Sequence, residues 1–189
     1  MPRVVVVVPL SPLDTGDRFR VENWPLHITV VPPFSTEASS DDIAAVIEGV
    51  TTEHPPLTAR AGDERLFGRD NTIPVNLVDE HPDLTRLHNE LVSALRPLAS
   101  DPAERAFTAP IFVPHVTVKG DRRTTAGEQL DLRQVALVDM AARADPRGRS
   151  VLATSTLRGV PAGSPTHAPA HSSTHSSLPH SSTHSSLPH

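Results

Sequence analysis

Apolar and polar positions follow strand-like patterns near the start of this chain. The run "RVVVVVP" is continuous and rich in β-branched residues, which predicts a buried strand over Val4–Val8. "LHITVV" predicts a second strand over Leu26–Val31, and Pro32 and Pro33 are expected to end it because proline cannot continue a β-ladder.

Helical spacing is present in two later segments. "SSDDIAAVIEGV" predicts a helix that Ser39 or Ser40 caps, with acidic residues in its first turn. "HPDLTRLHNELVSALRP" predicts a second helix that begins near Pro82 and ends at Pro97. His88 lies beside its apolar stripe and is interpreted as a residue at the helix boundary rather than a ligand. The stripe consists of Leu84, Leu87, Leu91 and Leu95.

The remaining patterns predict further strands. "PLTARAGDERLFG" and "IPVNLVD" form a predicted hairpin around "GRDN", and residues 100–114 a loop. Strands are predicted at His115–Lys119, in "QVALVDMAAR" and in "SVLATSTLRG". Each half of the chain then has one helix and several short strands. This order predicts an α+β fold of two lobes, each a small antiparallel sheet backed by a helix.

The composition changes sharply at Pro161. Residues 161–189 contain no Lys, Arg, Asp or Glu, and "HSSTHSSLP" occurs there twice. Serine and proline bury too little apolar surface to offset the entropy of ordering. We therefore expect one two-lobed domain over residues 1–160 and a low-complexity tail that is disordered or no part of the natural protein. A metal-binding arm is the alternative, because six of the eleven histidines lie there.

Composition narrows the classes of function. The absence of cysteine excludes disulfides, a thiol nucleophile and cysteine-based metal sites, and a cytoplasmic location is expected. Pro9 interrupts the valine run, which is too short for a secretion signal or a membrane span. A net charge of −5 with 3% aromatic residues disfavours long nucleic acids as partners. A nucleotide or an RNA end is the expected partner, bound by a monomer.

Two short stretches nearly repeat each other. Residues 27–30 read "HITV" and residues 115–118 read "HVTV", and each follows a proline by one or two positions. Residues two apart on a strand share a face, so His27 pairs with Thr29 and His115 with Thr117. Half-solvated polar strand faces would explain either stretch alone. The matching places of the two stretches favour one shared site.

Paired histidines and threonines suit phosphodiester chemistry without a metal or other cofactor. One neutral imidazole can take a proton while the other, protonated, gives one to the leaving oxygen. Threonine hydroxyls can donate to the non-bridging phosphate oxygens. No Walker loop, dinucleotide-binding glycine fingerprint or HExxH pattern is present, which disfavours the classes that those motifs mark.

The "HITV" and "HVTV" pair resembles the 2H phosphoesterase superfamily, which includes 2′-5′ RNA ligase-like proteins and 2′,3′-cyclic phosphodiesterases. "FVPHVTV" and the strand and helix in "IPVNLVDEHPDLTRLHNELVSAL" are also similar to that family. The resemblance implies a bilobal fold with a central cleft, cofactor-free nucleotide phosphodiester chemistry, and a catalytic set made of His27, Thr29, His115 and Thr117. The short, proline-rich segment 10–25 and the "VPPF" continuation depart from the family pattern and put substrate choice in question.

Other residues are weaker candidates for the site. Lys119 shares the face of Thr117 and is predicted to hold a phosphate or ribose oxygen, although a solvated lysine is the alternative. Phe34 and Phe112 flank the two motif strands and are predicted to stack on a base, with core packing as the alternative. His115 is assigned as the base and His27 as the acid, an order that the motifs alone leave open.

The predicted activity is cleavage of a 2′,3′-cyclic phosphate, a 2′-5′ linkage or a small cyclic oligonucleotide. A nucleotide-binding module without turnover is one alternative. A phage-type protein that sequesters or hydrolyses cyclic oligonucleotide immune signals is another. A metal binder that uses the histidine-rich tail is the third.

Overall fold

A computed structural model describes residues 2–109, 111–140 and 148–160. The predicted tail after Pro161 therefore lies outside the described residues. The strands are β1 (Arg3–Pro9), β2 (Arg18–Phe19), β3 (His27–Ser35), β4 (Leu57–Phe67), β5 (Ile73–Val78), β6 (His115–Thr117), β7 (Gln129–Leu132), β8 (Gln134–Asp139) and β9 (Arg149–Thr156). The α-helices are α1 (Ser40–Thr51), α2 (Pro82–Leu95) and α3 (Arg105–Thr108).

The strands join in the order β2-β9-β8-β1-β3-β6-β5-β4-β7, and neighbouring strands are antiparallel. The two motif strands, β3 and β6, are adjacent at the centre, where Ile28 pairs with Val116. This pairing joins the sheets of the two lobes. The predicted α+β class and bilobal arrangement are confirmed.

Both predicted long helices are present on one side of the sheet. Ser39 caps α1 by accepting a hydrogen bond from the backbone N–H of Asp42. Pro82 occupies the first turn of α2, where its missing N–H costs nothing. Helix α1 packs on β8 and β9, and α2 packs on β3 and α1. The four stripe leucines of α2 are fully buried in this core, as predicted.

A smaller apolar cluster covers the opposite side of the first lobe. It contains Trp24 and Leu13 from the segment before β3, together with Val7 of β1. Val7 pairs with Thr29, so this is the face to which the polar residues of the first motif belong. The proline-rich segment 10–25 therefore covers one end of the motif face.

Strand β3 is longer than predicted. It continues through Pro32 and Pro33 to Ser35, so the predicted end at Val31 is wrong. Its pairing with β1 has two register shifts, and the one between the pairs Val4–Phe34 and Val6–Val31 absorbs the prolines, because a bulge leaves residues out of the hydrogen-bonded ladder. At the other motif, β6 ends at Thr117 rather than at Lys119.

Two further strands and one further α-helix were not predicted. Helix α3 lies within the predicted loop, β7 adds an edge strand beside β4, and the two-residue β2 pairs with β9. The turn predicted between the last two strands lies largely in residues 141–147, outside the described residues.

Candidate active site

The pairing of β3 with β6 sets the geometry of the four motif side chains. In an antiparallel pair with Ile28 opposite Val116, His27 lies opposite Thr117 and Thr29 lies opposite His115. Directly opposed Cβ atoms are about 5 Å apart and diagonal ones about 7–8 Å apart. Each histidine thus has a threonine beside it and the other histidine on the diagonal, a span that a phosphate group can bridge.

Both histidines have the same internal hydrogen bond. Nδ1 of His27 lies 2.7 Å from the carbonyl oxygen of Pro25, and Nδ1 of His115 lies 2.8 Å from that of Val113. A carbonyl oxygen only accepts, so each Nδ1 must carry the hydrogen and donate it. The bond fixes both rings and leaves Nε2 as the nitrogen that exchanges a proton with a ligand.

His27 is the more shielded of the pair. Its ring centroid is 4.3 Å from that of the buried Trp24. Burial lowers the pKa of His27 to about 4; the carbonyl of Pro25 opposes the shift, while the positive charge of Lys119 and the imidazole of His115 add to it. At neutral pH the His27 ring is therefore neutral, with its one ring N–H hydrogen on Nδ1.

This pKa bears on the assignment of acid and base. An imidazole that stays neutral at pH 7 can accept a proton but has none on Nε2 to donate. The lowered pKa disfavours His27 as the acid, which is the part that the sequence interpretation gave it. The pKa is lowered by burial beside Trp24 and by the nearby charge of Lys119, and neither can be read from the motif itself.

His115 occupies a different environment at the end of a three-residue strand. Its ring centroid is 4.8 Å from that of Phe67, at the end of β4. Phe67 is a site residue that the sequence interpretation missed. It comes from a hairpin almost 50 positions earlier in the chain, and its contact with His115 depends on the pairing of β5 with β6.

Thr29 and His115 open into a cavity of about 790 Å³. That volume is within the range of small-molecule sites, about 300–1,000 Å³. The cavity extends from the motif strands past α2 towards α3. Its other lining residues include Phe67, His88, Asn89, Arg105, Phe112 and Arg149.

The two phenylalanines predicted to stack on a base have different positions. Phe34 is fully buried and packs edge-on against Phe107, with ring centroids 5.2 Å apart. The prediction for Phe34 is therefore wrong, since a fully buried ring can contact no ligand. Phe112 lines the cavity and remains a candidate.

His88 also lines the cavity, so its interpretation as a helix-boundary histidine rather than a ligand stays a prediction. Its ring stacks on Phe112 with centroids 4.0 Å apart and planes 7° apart. Nδ1 lies 2.6 Å from the carbonyl oxygen of Val30. The spacing of His88 beside the leucine stripe did not reveal its position in the cavity. That position depends on how α2 packs against the sheet, where His88 bonds to Val30 of β3.

Lys119 lies close enough to His27 to disfavour its protonation, which places the amine at the motif end of the cleft. It also lines a separate hollow of about 640 Å³ with Glu22, Asn23 and Arg122. Arg122 donates to the carbonyl oxygens of Glu22 and Asn23, so this corner ties the two lobes together.

Arg149 is the second site residue that the sequence interpretation missed. It is 6% exposed, and its guanidinium carbon is 6.0 Å from the centre of the Trp24 ring. It lines the same cavity as Thr29 and His115. Arginine stays charged in proteins, so the lining of the cavity includes a positive guanidinium group.

Within the described ranges, no group of three His, Asp or Glu side chains is placed to hold a metal ion. No helix in the same part of the chain is long and apolar enough to cross a membrane.

Comparison with known proteins identifies the family. Residues 12–146 match the 2′-5′ RNA ligase superfamily, and the chain belongs to this family of 2H phosphoesterases. Comparison with curated proteins gave no match.

Solved structures show the same fold. TT0787 of Thermus thermophilus superposes with a TM-score of 0.60 at 19% identity, covering 83% of this chain and 98% of that one. E. coli LigT in complex with NADP+ gives a TM-score of 0.53 at 14% identity, with coverages of 84% and 99%. LigT in complex with 3′-AMP gives 0.53 at 17% identity, with coverages of 83% and 99%.

Proposed function

We propose that this chain is a metal-independent phosphodiesterase that cleaves a nucleotide phosphodiester with His27 and His115. The supporting observation is the antiparallel pairing of Ile28 with Val116, which gathers two histidines and two threonines on one face. The matching Nδ1 bonds prepare both rings for proton transfer through Nε2.

In the proposed reaction the phosphorus atom lies between the two rings. Neutral His27 removes the proton from the attacking water as its oxygen forms the new bond to phosphorus. His115, protonated at Nε2, gives its proton to the leaving oxygen as the old P–O bond breaks. His27 then returns its proton to solvent and His115 takes one up. Thr29 and Thr117 donate to the non-bridging oxygens, whose negative charge grows in the transition state.

Positive charge near the site supports a phosphate ligand. Lys119 and Arg149 both lie at the motif face, although the whole chain has a net charge of −5. We assign Lys119 to a phosphate or ribose oxygen, and Arg149 to the side of the cavity that borders Thr29. The complexes of LigT with 3′-AMP, NADP+ and ATP are consistent with a nucleotide-sized ligand for the fold.

The substrate classes that we propose are 2′,3′-cyclic nucleotides, 2′-5′-linked dinucleotides and small cyclic oligonucleotides. The test is turnover of one compound from each class by the full-length chain in EDTA. We expect at least one to be hydrolysed, and His27→Ala and His115→Ala each to abolish detectable turnover. Hydrolysis that both variants retain would contradict the proposal.

The second candidate is a nucleotide-binding protein without turnover, which would include a protein that sequesters cyclic oligonucleotide signals. The largely apolar cavity favours binding in either case. Nucleotide binding in calorimetry without hydrolysis of any of the three classes would replace the phosphodiesterase proposal by this one.

A further inference from the structure

The part of the cavity beyond the motif strands contains a flat, uncharged surface. His88 and Phe112 stack almost in parallel there, and Asn89 lies beside them on α2. Both rings line the same cavity as Thr29 and His115. A phosphate prefers positive charge, whereas the uncharged edge of these rings suits a nucleobase, which can lie edge to edge with the imidazole.

The hydrogen bonding of His88 fixes what it can offer to a ligand. Its Nδ1 donates to the carbonyl oxygen of Val30, because a carbonyl cannot donate in return. Burial lowers the pKa of His88, and the bond to Val30 opposes this only in part. The ring is therefore neutral at pH 7, and its Nε2 is a hydrogen-bond acceptor.

This nitrogen is accessible to a ligand. In the described part of the chain, Nε2 of His88 is not among the buried polar atoms that lack a partner, and the ring's only hydrogen bond is through Nδ1. A nitrogen that is neither bonded nor buried must reach solvent, and the cavity is the space that His88 borders.

We propose that His88 and Phe112 form a base subsite in which Nε2 of His88 accepts a hydrogen bond from an exocyclic amino group, so that cytosine or adenine is preferred over uracil. This inference rests on the proposed function for the placement of the phosphate. An oxo group at the same position would bring two acceptors together, and the ring cannot reverse its tautomer while Val30 holds Nδ1–H.

The test is calorimetric binding of 3′-CMP and 3′-UMP, which differ at that group and at the neighbouring N3, to the full-length protein at pH 7.5. We expect Kd to be about tenfold lower for 3′-CMP, the worth of one hydrogen bond. His88→Phe keeps a ring on Phe112 but removes the acceptor, so both nucleotides should bind with similar Kd. His88→Gln retains a donor for Val30 and an acceptor, and should keep part of the preference.

Phe112→Leu separates the apolar contact of Phe112 with the ligand from base selection by His88. It should weaken both nucleotides by a similar factor and leave their ratio near tenfold. Equal Kd values for the two nucleotides in the wild-type protein would overturn the subsite, and so would a tenfold preference that His88→Phe retains. Binding does not require turnover, so loss of this preference leaves the phosphodiesterase proposal intact, and absence of hydrolysis leaves the base subsite intact.

Discussion

The two HxT strands share a motif but differ in their surroundings. Strand β3 has nine residues and places His27 against buried Trp24 and near Lys119. Strand β6 has three residues and places His115 beside Phe67, at the wall of the cavity. The repeated motif supplies two imidazoles with the same Nδ1 hydrogen bond, but their neighbours differ, and His27 lies where burial lowers its pKa to about 4.

The largest effect is expected from removing either imidazole. His27→Asn and His115→Asn should each lower kcat by about 10²–10⁴, the usual worth of general acid–base catalysis. Steady-state hydrolysis of the best substrate measures this. The double variant should be little worse than either single variant, because the two rings act on one transition state.

His81→Asn is the matched control for the histidine variants. His81 caps α2 by accepting from the N–H of Leu84, and asparagine is also a good N-cap. The activity of His81→Asn should stay close to that of the wild type.

If the losses of the two single histidine variants multiply in the double variant, His27 and His115 act independently. That result would contradict two rings that act on one transition state.

The threonines should matter less than the histidines. Thr29→Ala and Thr117→Ala each remove one neutral donor, and we expect kcat to fall about tenfold for each. Thr→Ser variants keep the hydroxyl and should recover most of the rate. A loss of about 10⁴ in Thr29→Ala alone, as large as that of an acid–base group, would mean that this threonine has a role beyond donating to a phosphate oxygen.

The smallest effect concerns the phenylalanines. Phe67→Leu removes a ring from the side of His115 and should raise KM several-fold, since aromatic contacts contribute about 1 kcal/mol. Phe34→Leu should leave KM unchanged and lower the free energy of unfolding by about 1 kcal/mol, because Phe34 is a core residue. Kinetics and urea titration of both variants check the contrast, which a KM change in Phe34→Leu would contradict.

The error at Phe34 shows where prediction from the sequence stopped. Treating Pro32 and Pro33 as the end of the strand placed Phe34 in a flanking loop. The strand instead continues with two register shifts, and their combined effect leaves Phe34 on the same side as the core residue Ile28. The rule that proline cannot pair in a β-ladder was applied correctly. Whether a bulge lets the strand continue past the prolines depends on the partner strand, which the local sequence does not show.

The motif face itself was predictable because it depends on local alternation within two strands. The α2 stripe and the capping of α1 were predictable for the same reason. Phe67, His88 and Arg149 were not, because each reaches the cavity through strand pairing or helix packing between distant segments. The order of acid and base that we propose also depends on distant segments, through the contact of His27 with Trp24 and the nearby charge of Lys119.

The pH dependence of kcat/KM, measured in EDTA, decides whether His27 is the base. A base must be unprotonated to act, so activity falls as pH drops through its pKa. With the pKa of His27 lowered to about 4, the wild type should keep its activity from pH 7 down to about pH 5 and lose it near pH 4.

Trp24→Leu exposes His27 and should move this acidic limb upwards, towards the ordinary histidine pKa of about 6.5. A wild-type limb near pH 4 that rises in Trp24→Leu is the predicted result. A wild-type limb already at pH 6.5 or above, or one that Trp24→Leu leaves in place, would contradict His27 as the buried base.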